Sequence, residues 1–386
     1  MVFLSGSPSM PLHHELSIPP QWVDAVDVIV RSPQTPPIAM ICGPKNSGKS
    51  TFSRLLLNSL LERYERVGYL DTDVGQPEFY VPGCLSLHVV DECLQDVMTS
   101  SMRQPERCFF FGDTSSKRDP ECYLNYSFRL YEYFFGKYQS NKHANNRNLL
   151  LPLIINTAGW VKGTGFDVLV ELLRYISPSH VVQIRISNES KNLPTGLFWL
   201  GDEEKGHSKS IEIGAPFRDS FNRTVLSPKN ACKIRDNRIF YYFKQCIPSG
   251  SNMVTNKEFA HALASISPYQ VHITQVKVVH LHCQVPEQEV FHSLNGTIVG
   301  LAVSSDGPKT SAGCTPWCVG LGIVRGIDLK RGLLYVITPV SPSKLEKVDL
   351  LFQGFIEIPR SLLQVRGCVS PYMSKNVLHK LPDKHL

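Results

Sequence analysis

No stretch of the 386 residues approaches the roughly 20 consecutive apolar residues that a membrane-spanning helix requires. The N-terminus, MVFLSGSPSMPLHHELS, has too short an apolar run, broken by Gly and Pro, for a secretory signal. The eleven cysteines are scattered without a regular framework and include no C-x-x-C pair. Reduced thiols in a cytosolic or nuclear protein are expected instead. No strong Lys/Arg cluster marks a nuclear import signal. Charge is not lopsided either: Lys plus Arg number 40 against 34 Asp plus Glu, a net +6. That balance is compatible with a polyanionic partner without demanding one.

One further absence is specific. A GTPase needs a guanine-reading N-K-x-D, and the Asn-Lys pairs here run on into His143-Ala144 and Glu258-Phe259, so the specifying Asp is missing from both. The strand-end Asn156-Thr157-Ala158-Gly159 has the outline of a GTPase D-x-x-G switch but carries Asn in place of Asp. The GTPase reading falls. Zinc finds little footing: His280, His282, Cys283, Cys314 and Cys318 match no standard ligand spacing.

What is there begins at Gly43. Gly43-Pro44-Lys45-Asn46-Ser47-Gly48-Lys49-Ser50, followed by Thr51, fits the G-x-x-x-x-G-K-[ST] phosphate loop. It follows the apolar run Ile38–Cys42 and opens a helical pattern with Phe52, Leu55, Leu56, Ser59 and Leu60 on one face. Glycines let the backbone wrap phosphates with its N–H groups at a helix N-terminus. Lys49 supplies a point charge to the outer phosphates, and the Ser50 hydroxyl is placed to ligate Mg²⁺.

Strand patterns at Val67–Leu70, Cys108–Phe111, Leu149–Ile155 and Val181–Ile186 alternate with helical patterns at Glu121–Tyr138 and Phe166–Ile176. This alternation predicts an α/β fold, a mostly parallel sheet with helices on both faces. Residues 1–37, marked by Pro19-Pro20 and Pro36-Pro37, read as a linker or short docking segment, and 38–265 as the P-loop domain. Within that domain, Gly201–Ser227 reads as a polar surface excursion and Asn230–Gln245 as a helix. Residues 266–370 become β-rich with turn signals between the runs, a smaller all-β domain, and 371–386 form a basic tail.

Three other stretches carry candidate chemistry. In YLDTDVGQPEFYVPG, Asp71 and Asp73 end the strand after the P-loop helix and share a face if the strand persists. A carboxylate there binds Mg²⁺ or accepts a proton from an attacking hydroxyl. Gln76 orients an acceptor, or is an ordinary turn residue. In NTAGWVKGTG, Trp160 and Lys162 offer a base-stacking surface and a charge for a backbone phosphate; the alternative is that Trp160 packs under the following helix. Arg235 and Arg238, with Lys233 and Lys244, form either a cationic lid over a transferring phosphoryl group or a solvated basic helix face.

Together, GPKNSGKST, DTDVGQPEFYVPG, NTAGWVKGTGFDVL, RDNR and GLGIVRGIDLKRGLLYVITPV resemble the polynucleotide 5′-hydroxyl-kinase family, nearest its nucleolar branch in pre-ribosomal RNA processing. The resemblance spans residues 38 to 365. It implies a P-loop kinase-type domain, ATP and Mg²⁺ as cofactors, RNA with a 5′-hydroxyl end as substrate, an RNA-processing nuclease or complex as partner, and a nuclear, nucleolar location. By resemblance Lys49 and Ser50 are the phosphate and Mg²⁺ residues, and Asp73 activates the 5′-hydroxyl and helps organise the metal. Thr157, Gly159 and Trp160 form the clasp on the terminal nucleotides, and Arg235 and Arg238 correspond to the lid arginines. The chain departs from the family at its start, where relatives usually carry a separate β domain. A P-loop ATPase without a phosphoryl acceptor and a catalytically idle scaffold are the alternative functions.

Overall fold

Alternate residues of Ile38–Cys42 serve two different cores, which is why this run is apolar throughout. Ile38, Met40 and Cys42 face one side of the sheet, and Ala39 and Ile41 the other. A computed structural model describes residues 18–32, 36–94, 102–139, 150–200, 208–216, 228–248, 255–305, 309–310, 313–314 and 316–363. The basic tail, with much of the 201–227 stretch, lies outside the described residues.

The first sheet contains β1 (Ile38–Cys42), β2 (Val67–Asp71), β3 (Cys84–Val90), β4 (Arg107–Phe110), β5 (Leu153–Asn156), β6 (His180–Arg185) and β7 (Lys209–Gly214). Their order is β4-β3-β2-β5-β1-β6-β7. All neighbours are parallel except β3, which runs antiparallel to both β2 and β4. Two reversals return β4 to the direction of β2, so β1, β2, β4 and β5 deliver their C-terminal ends to one rim. Helices α3 (Pro120–Tyr138) and α4 (Thr164–Ile176) pack on one face through Leu130, Phe134, Leu169 and Leu173. On the other face lie α1 (Pro20–Val30) and α2 (Lys49–Leu61), through Trp22, Ile29, Phe52 and Leu56.

Two expectations are corrected here. The stretch 1–37, expected as a linker or short docking segment, contains a packed helix and so is no linker: Pro20 occupies a first-turn position of α1, where its missing N–H is no loss, and Trp22 is fully buried. Trp22 Nε1 donates to Gly214 O at 2.8 Å, tying α1 to β7. Trp22 also meets Phe52 edge-on, ring centroids 5.4 Å apart, and a Cβ at Gly48 would lie 2.9 Å from its ring. The supposed linker thus supports the phosphate loop from beneath. The polar excursion expected over Gly201–Ser227 likewise contains β7, an edge strand whose mixed polar sequence KSIEIG suits a half-exposed edge.

Helix α5 (Pro228–Lys244) and α6 (Asn256–Ser265), the latter held by a Thr255–Glu258 capping box, lead to the second sheet. It comprises β8 (Tyr269–His272), β9 (Lys277–His280), β10 (Thr297–Ala302), β13 (Cys318–Asp328), β14 (Leu333–Ile337) and β15 (Leu350–Gln353), in the order β8-β14-β13-β10-β15-β9. A hairpin of β11 (Lys309–Thr310) and β12 (Gly313–Cys314) stands apart. One core joins both units: Tyr80, Cys108 and Phe110 pack with Tyr242 and Phe243 of α5 and with Ile298 and Leu321 of the second sheet.

Candidate active site

The shared rim encloses a cavity of about 540 Å³. Lys45, Asn46, Gly48, Lys49, Ser50 and Thr51 form one wall, Asp73, Gly75 and Gln76 a second, and Gly159 and Trp160 a third. Arg235 reaches it from α5, and Thr114–Lys117 complete the lining.

The loop's own geometry suits an anion. Gly43 and Gly48 have φ of 151° and 100°, and Asn46, a residue that tolerates the left-handed region, has 63°. Lys49 Nζ donates to the carbonyls of Gly43 and Pro44, both at 3.0 Å. Burial lowers the Lys49 pKa, and the charge of Asp73 opposes that. Ser47 Oγ is buried without a hydrogen-bond partner among the described residues, an orphaned donor beneath the loop. Gly159 presses against the loop so closely that a Cβ there would lie 2.8 Å from Lys45 N, which locks the β5 end to the phosphate loop.

The two aspartates part company, because β2 ends at Asp71. Asp71 is 0% exposed and accepts from Asp73 N at 3.2 Å, from Asn156 Nδ2 at 3.1 Å and from Glu78 N. Asp73 turns into the cavity, with Oδ1 accepting from Gly75 N at 3.0 Å and Gln76 N at 3.1 Å. The shared face expected for a continuing strand is therefore not formed. Burial pushes the Asp71 carboxyl up to about 7 against the pull of the Glu78 and Asp73 N–H groups. An acid raised on folding destabilises the fold as it ionises, so stability is lost as pH climbs from the ordinary value of 3.8 to about 7 and is level above. The thermal midpoint of the wild type is expected to fall across that interval relative to Asp71→Asn. Parallel midpoint curves for the two proteins would contradict this assignment.

Other expected site residues separate in the same way. Trp160 is half-buried and lines the cavity, and a Cβ at Gly165 would run into its ring, so the ring also rests on the first turn of α4. Thr157 faces inward: its Oγ1 donates to Ile41 O at 2.7 Å. Lys162 turns away from the cavity and donates to Asn192 O at 2.6 Å. Arg238 does not line the cavity. It lies behind the wall, Nη1 3.5 Å from Tyr80 O, its pKa lowered by burial against the charges of Glu78 and Asp71. Glu78 in turn pairs with Arg54 at 2.7 Å. Lys233 and Lys244 are exposed on other parts of α5. His282 Nε2 lies 2.6 Å from Phe111 O, and His280 Nε2 lies 2.8 Å from Ser293 Oγ.

Sequence reasoning missed the wall Thr114-Ser115-Ser116-Lys117. Its signal was the run of small hydroxyl residues leading into Lys117 and Arg118 just after β4, a strand-end position like the one that made Asp73 a candidate. Lys117 Nζ sits 5.3 Å from the centre of the Trp160 ring.

A family model described as the P-loop of mRNA cleavage and polyadenylation factor CLP1 matches residues 43–245, and one described as NOL9-like, C-terminal domain matches 264–359. Polynucleotide 5′-hydroxyl-kinase NOL9 of Arabidopsis thaliana is 52% identical over 366 residues, covering 94% of this chain and 96% of that protein. The chain belongs to the NOL9 family of polynucleotide 5′-hydroxyl kinases. NOL9 of Homo sapiens is 32% identical over 90% of this chain and 53% of its own length; for Danio rerio the figures are 33%, 85% and 47%. The chain thus spans nearly all of the plant relative and about half of these vertebrate ones. A solved structure of Clp1p, in complex with Pcf11p, matches 86% of this chain and 77% of that one with a TM-score of 0.60 at 15% identity, a likeness of fold. The family to which NOL9 belongs is the one the five motifs resemble.

Proposed function

We propose that this chain is an ATP-dependent polynucleotide 5′-hydroxyl kinase that transfers the γ-phosphate of ATP to the 5′-hydroxyl end of RNA. The observation that carries this is the single cavity shared by Lys49, Ser50, Asp73 and Trp160. A phosphate cradle, a carboxylate and an aromatic ring then face the same space, which is what a donor, an acceptor hydroxyl and its nucleobase require.

The donor's phosphates lie against the loop from Gly43 to Thr51, and Lys49 and Arg235 offset the charge that spreads over the transferring group. Asp73 is the cavity carboxylate that accepts the proton of the attacking 5′-hydroxyl. Ser50 and Asp73 offer the hard oxygen ligands that Mg²⁺ prefers, and the metal would neutralise charge on the phosphate oxygens. Gln76 and Trp160 orient the terminal nucleotide. Thr157 acts on the clasp from behind, through its bond to Ile41. Arg238 and Lys162 serve the walls rather than the substrate. The wider role we infer is processing of ribosomal RNA precursors in the nucleus and nucleolus, alongside an RNA-processing nuclease.

Incubation with γ-labelled ATP and RNA carrying either a 5′-hydroxyl or a 5′-phosphate tests the reading, and a DNA series defines strand preference. Label should pass only to the 5′-hydroxyl ends. ATP hydrolysis indifferent to RNA ends would identify a P-loop ATPase instead. Trp160→Ala is expected to raise KM for the acceptor about 10- to 100-fold with little change in kcat, the scale of one lost base–aromatic stack. An unchanged acceptor KM would return Trp160 to a packing role.

A further inference from the structure

Lys117 and Arg118 are adjacent cations in a short 3₁₀ turn, Ser116–Arg118, and each lies over a different aromatic ring. Lys117 covers Trp160 inside the cavity. Arg118 covers Phe355 of the C-terminal sheet unit, its guanidinium carbon 4.3 Å from the ring centre. Phe355 is 45% exposed although it is a large apolar side chain, and the Arg118 side chain is 47% exposed. An ion pair with Asp113 anchors the Arg118 guanidinium. The His282 ring lies nearly parallel to Phe355, centroids 6.5 Å apart with 19° between the planes. No carboxylate among the described residues pairs with Lys117.

The backbone holds this arrangement in place. Phe355 N donates to Gly112 O at 2.5 Å, and a Cβ at Gly354 would lie 2.5 Å from Gly112 Cα. Two glycines therefore let the end of β15 touch the loop that also carries Thr114–Lys117. The second unit fixes both the outer ring and the wall of the cavity.

We infer that the acceptor strand leaves the cavity across the Ser116–Arg118 turn and stacks a base on Phe355 and Arg118, roughly three nucleotides from its 5′ end. This rests on the kinase reading, which places the 5′ end beside Asp73. Single-stranded nucleic acid fits because both elements of its recognition recur along one path. Aromatic faces take bases of any sequence, the cations track the backbone, and a planar guanidinium stacks as well as pairs. Lys117 and Arg118 are about 3.8 Å apart at Cα, and one side-chain length plus a ring contact of 5.3 or 4.3 Å on either side keeps the two rings within a few nucleotide spacings of each other.

The test uses the full chain and 5′-hydroxyl RNA hexanucleotides carrying one 5-iodouridine at successive positions, cross-linked by light and mapped by peptide mass. Substitution at the first position should link to the Trp160 peptide, and at the third or fourth to the Phe355 peptide. In end-labelling assays, Phe355→Ala and the volume-conserving Phe355→Leu should raise KM about tenfold for the hexanucleotide and less than twofold for a dinucleotide. Phe355→Tyr should recover the hexanucleotide KM. An equal penalty at both lengths would mean a structural role for Phe355 and overturn the inference. So would cross-links from the third and fourth positions that avoid Phe355 while wild-type transfer is normal, including the case in which Phe355 serves a protein partner. If cross-links reach Phe355 but no label passes to any 5′-hydroxyl end, the kinase reading fails and the strand path stands.

Discussion

Lys49→Ala should reduce phosphoryl transfer to 5′-hydroxyl RNA by about 10²- to 10³-fold or more while RNA binding survives, the scale set by deleting one preorganised electrostatic group at a transition state. Lys49 is 7% exposed, lines the cavity and lies at the first position of α2, its Nζ donating to two carbonyls of the loop. A cation at a helix N-terminus opposes the macrodipole, and burial already lowers its pKa. The fold therefore gains little from this charge. The thermal midpoint of Lys49→Ala should stay within a few degrees of wild type, which separates lost chemistry from lost structure. End-labelling kinetics, RNA anisotropy and a thermal melt on the same preparation decide it. Transfer within tenfold of wild type would exclude Lys49 from the reaction, and parallel loss of RNA binding and melting temperature would indicate misfolding.

Asp73→Asn should lower kcat by about 10²- to 10⁴-fold, the range for a missing general base. The substitution is informative because the geometry tolerates it. Asp73 Oδ1 accepts from the N–H groups of Gly75 and Gln76, and an Asn Oδ1 can accept both. The turn holding Gln76 in the cavity is kept while the charge and the basic oxygen disappear. If the carboxylate acts chiefly by holding Mg²⁺, excess Mg²⁺ restores part of the rate; if it acts as base, it does not. A kcat within tenfold of wild type would assign the proton to another group. Asp71→Asn is not an equivalent control, since Asp71 receives three N–H donors on two oxygens and an amide can accept at only one of them.

The fold was legible wherever it rested on a local spacing. The phosphate loop, its strand and its helix appear where the pattern put them, because strand–loop–helix is specified by contiguous residues. The hairpin strand β3 was not anticipated. CLSLHVV is fully buried except at Val89, yet it carries Ser86 and His88, which bond to each other at 3.0 Å, and so it does not read as an apolar run. Helix α1 was hidden by flanking prolines, although Pro20 initiates the helix rather than preventing it. β7 was hidden by its charge, which an edge strand tolerates.

At the site, spacing proposed the residues and packing sorted them. Arg235 and Arg238 share a helical face, but one lines the cavity and the other lies behind it near Tyr80, Glu78 and Asp71. Thr157 and Trp160 belong to one motif, yet only Trp160 lines the cavity. Lys117 joined the site from 43 residues before Trp160, because two antiparallel steps bring β4 to the same rim as β2.

By itself the sequence determined that a phosphate-loop pattern runs over Gly43–Thr51, that a carboxylate follows at the next strand end, and that guanine-reading residues are missing. Those are properties of residues close together in the chain. Only the tertiary structure decided which side chains face the cavity, that Trp22 supports the phosphate loop, and that the C-terminal sheet unit braces its far wall. These contacts join segments up to 242 positions apart, as between Gly112 and Gly354, and no periodicity or spacing encodes where such distant segments meet.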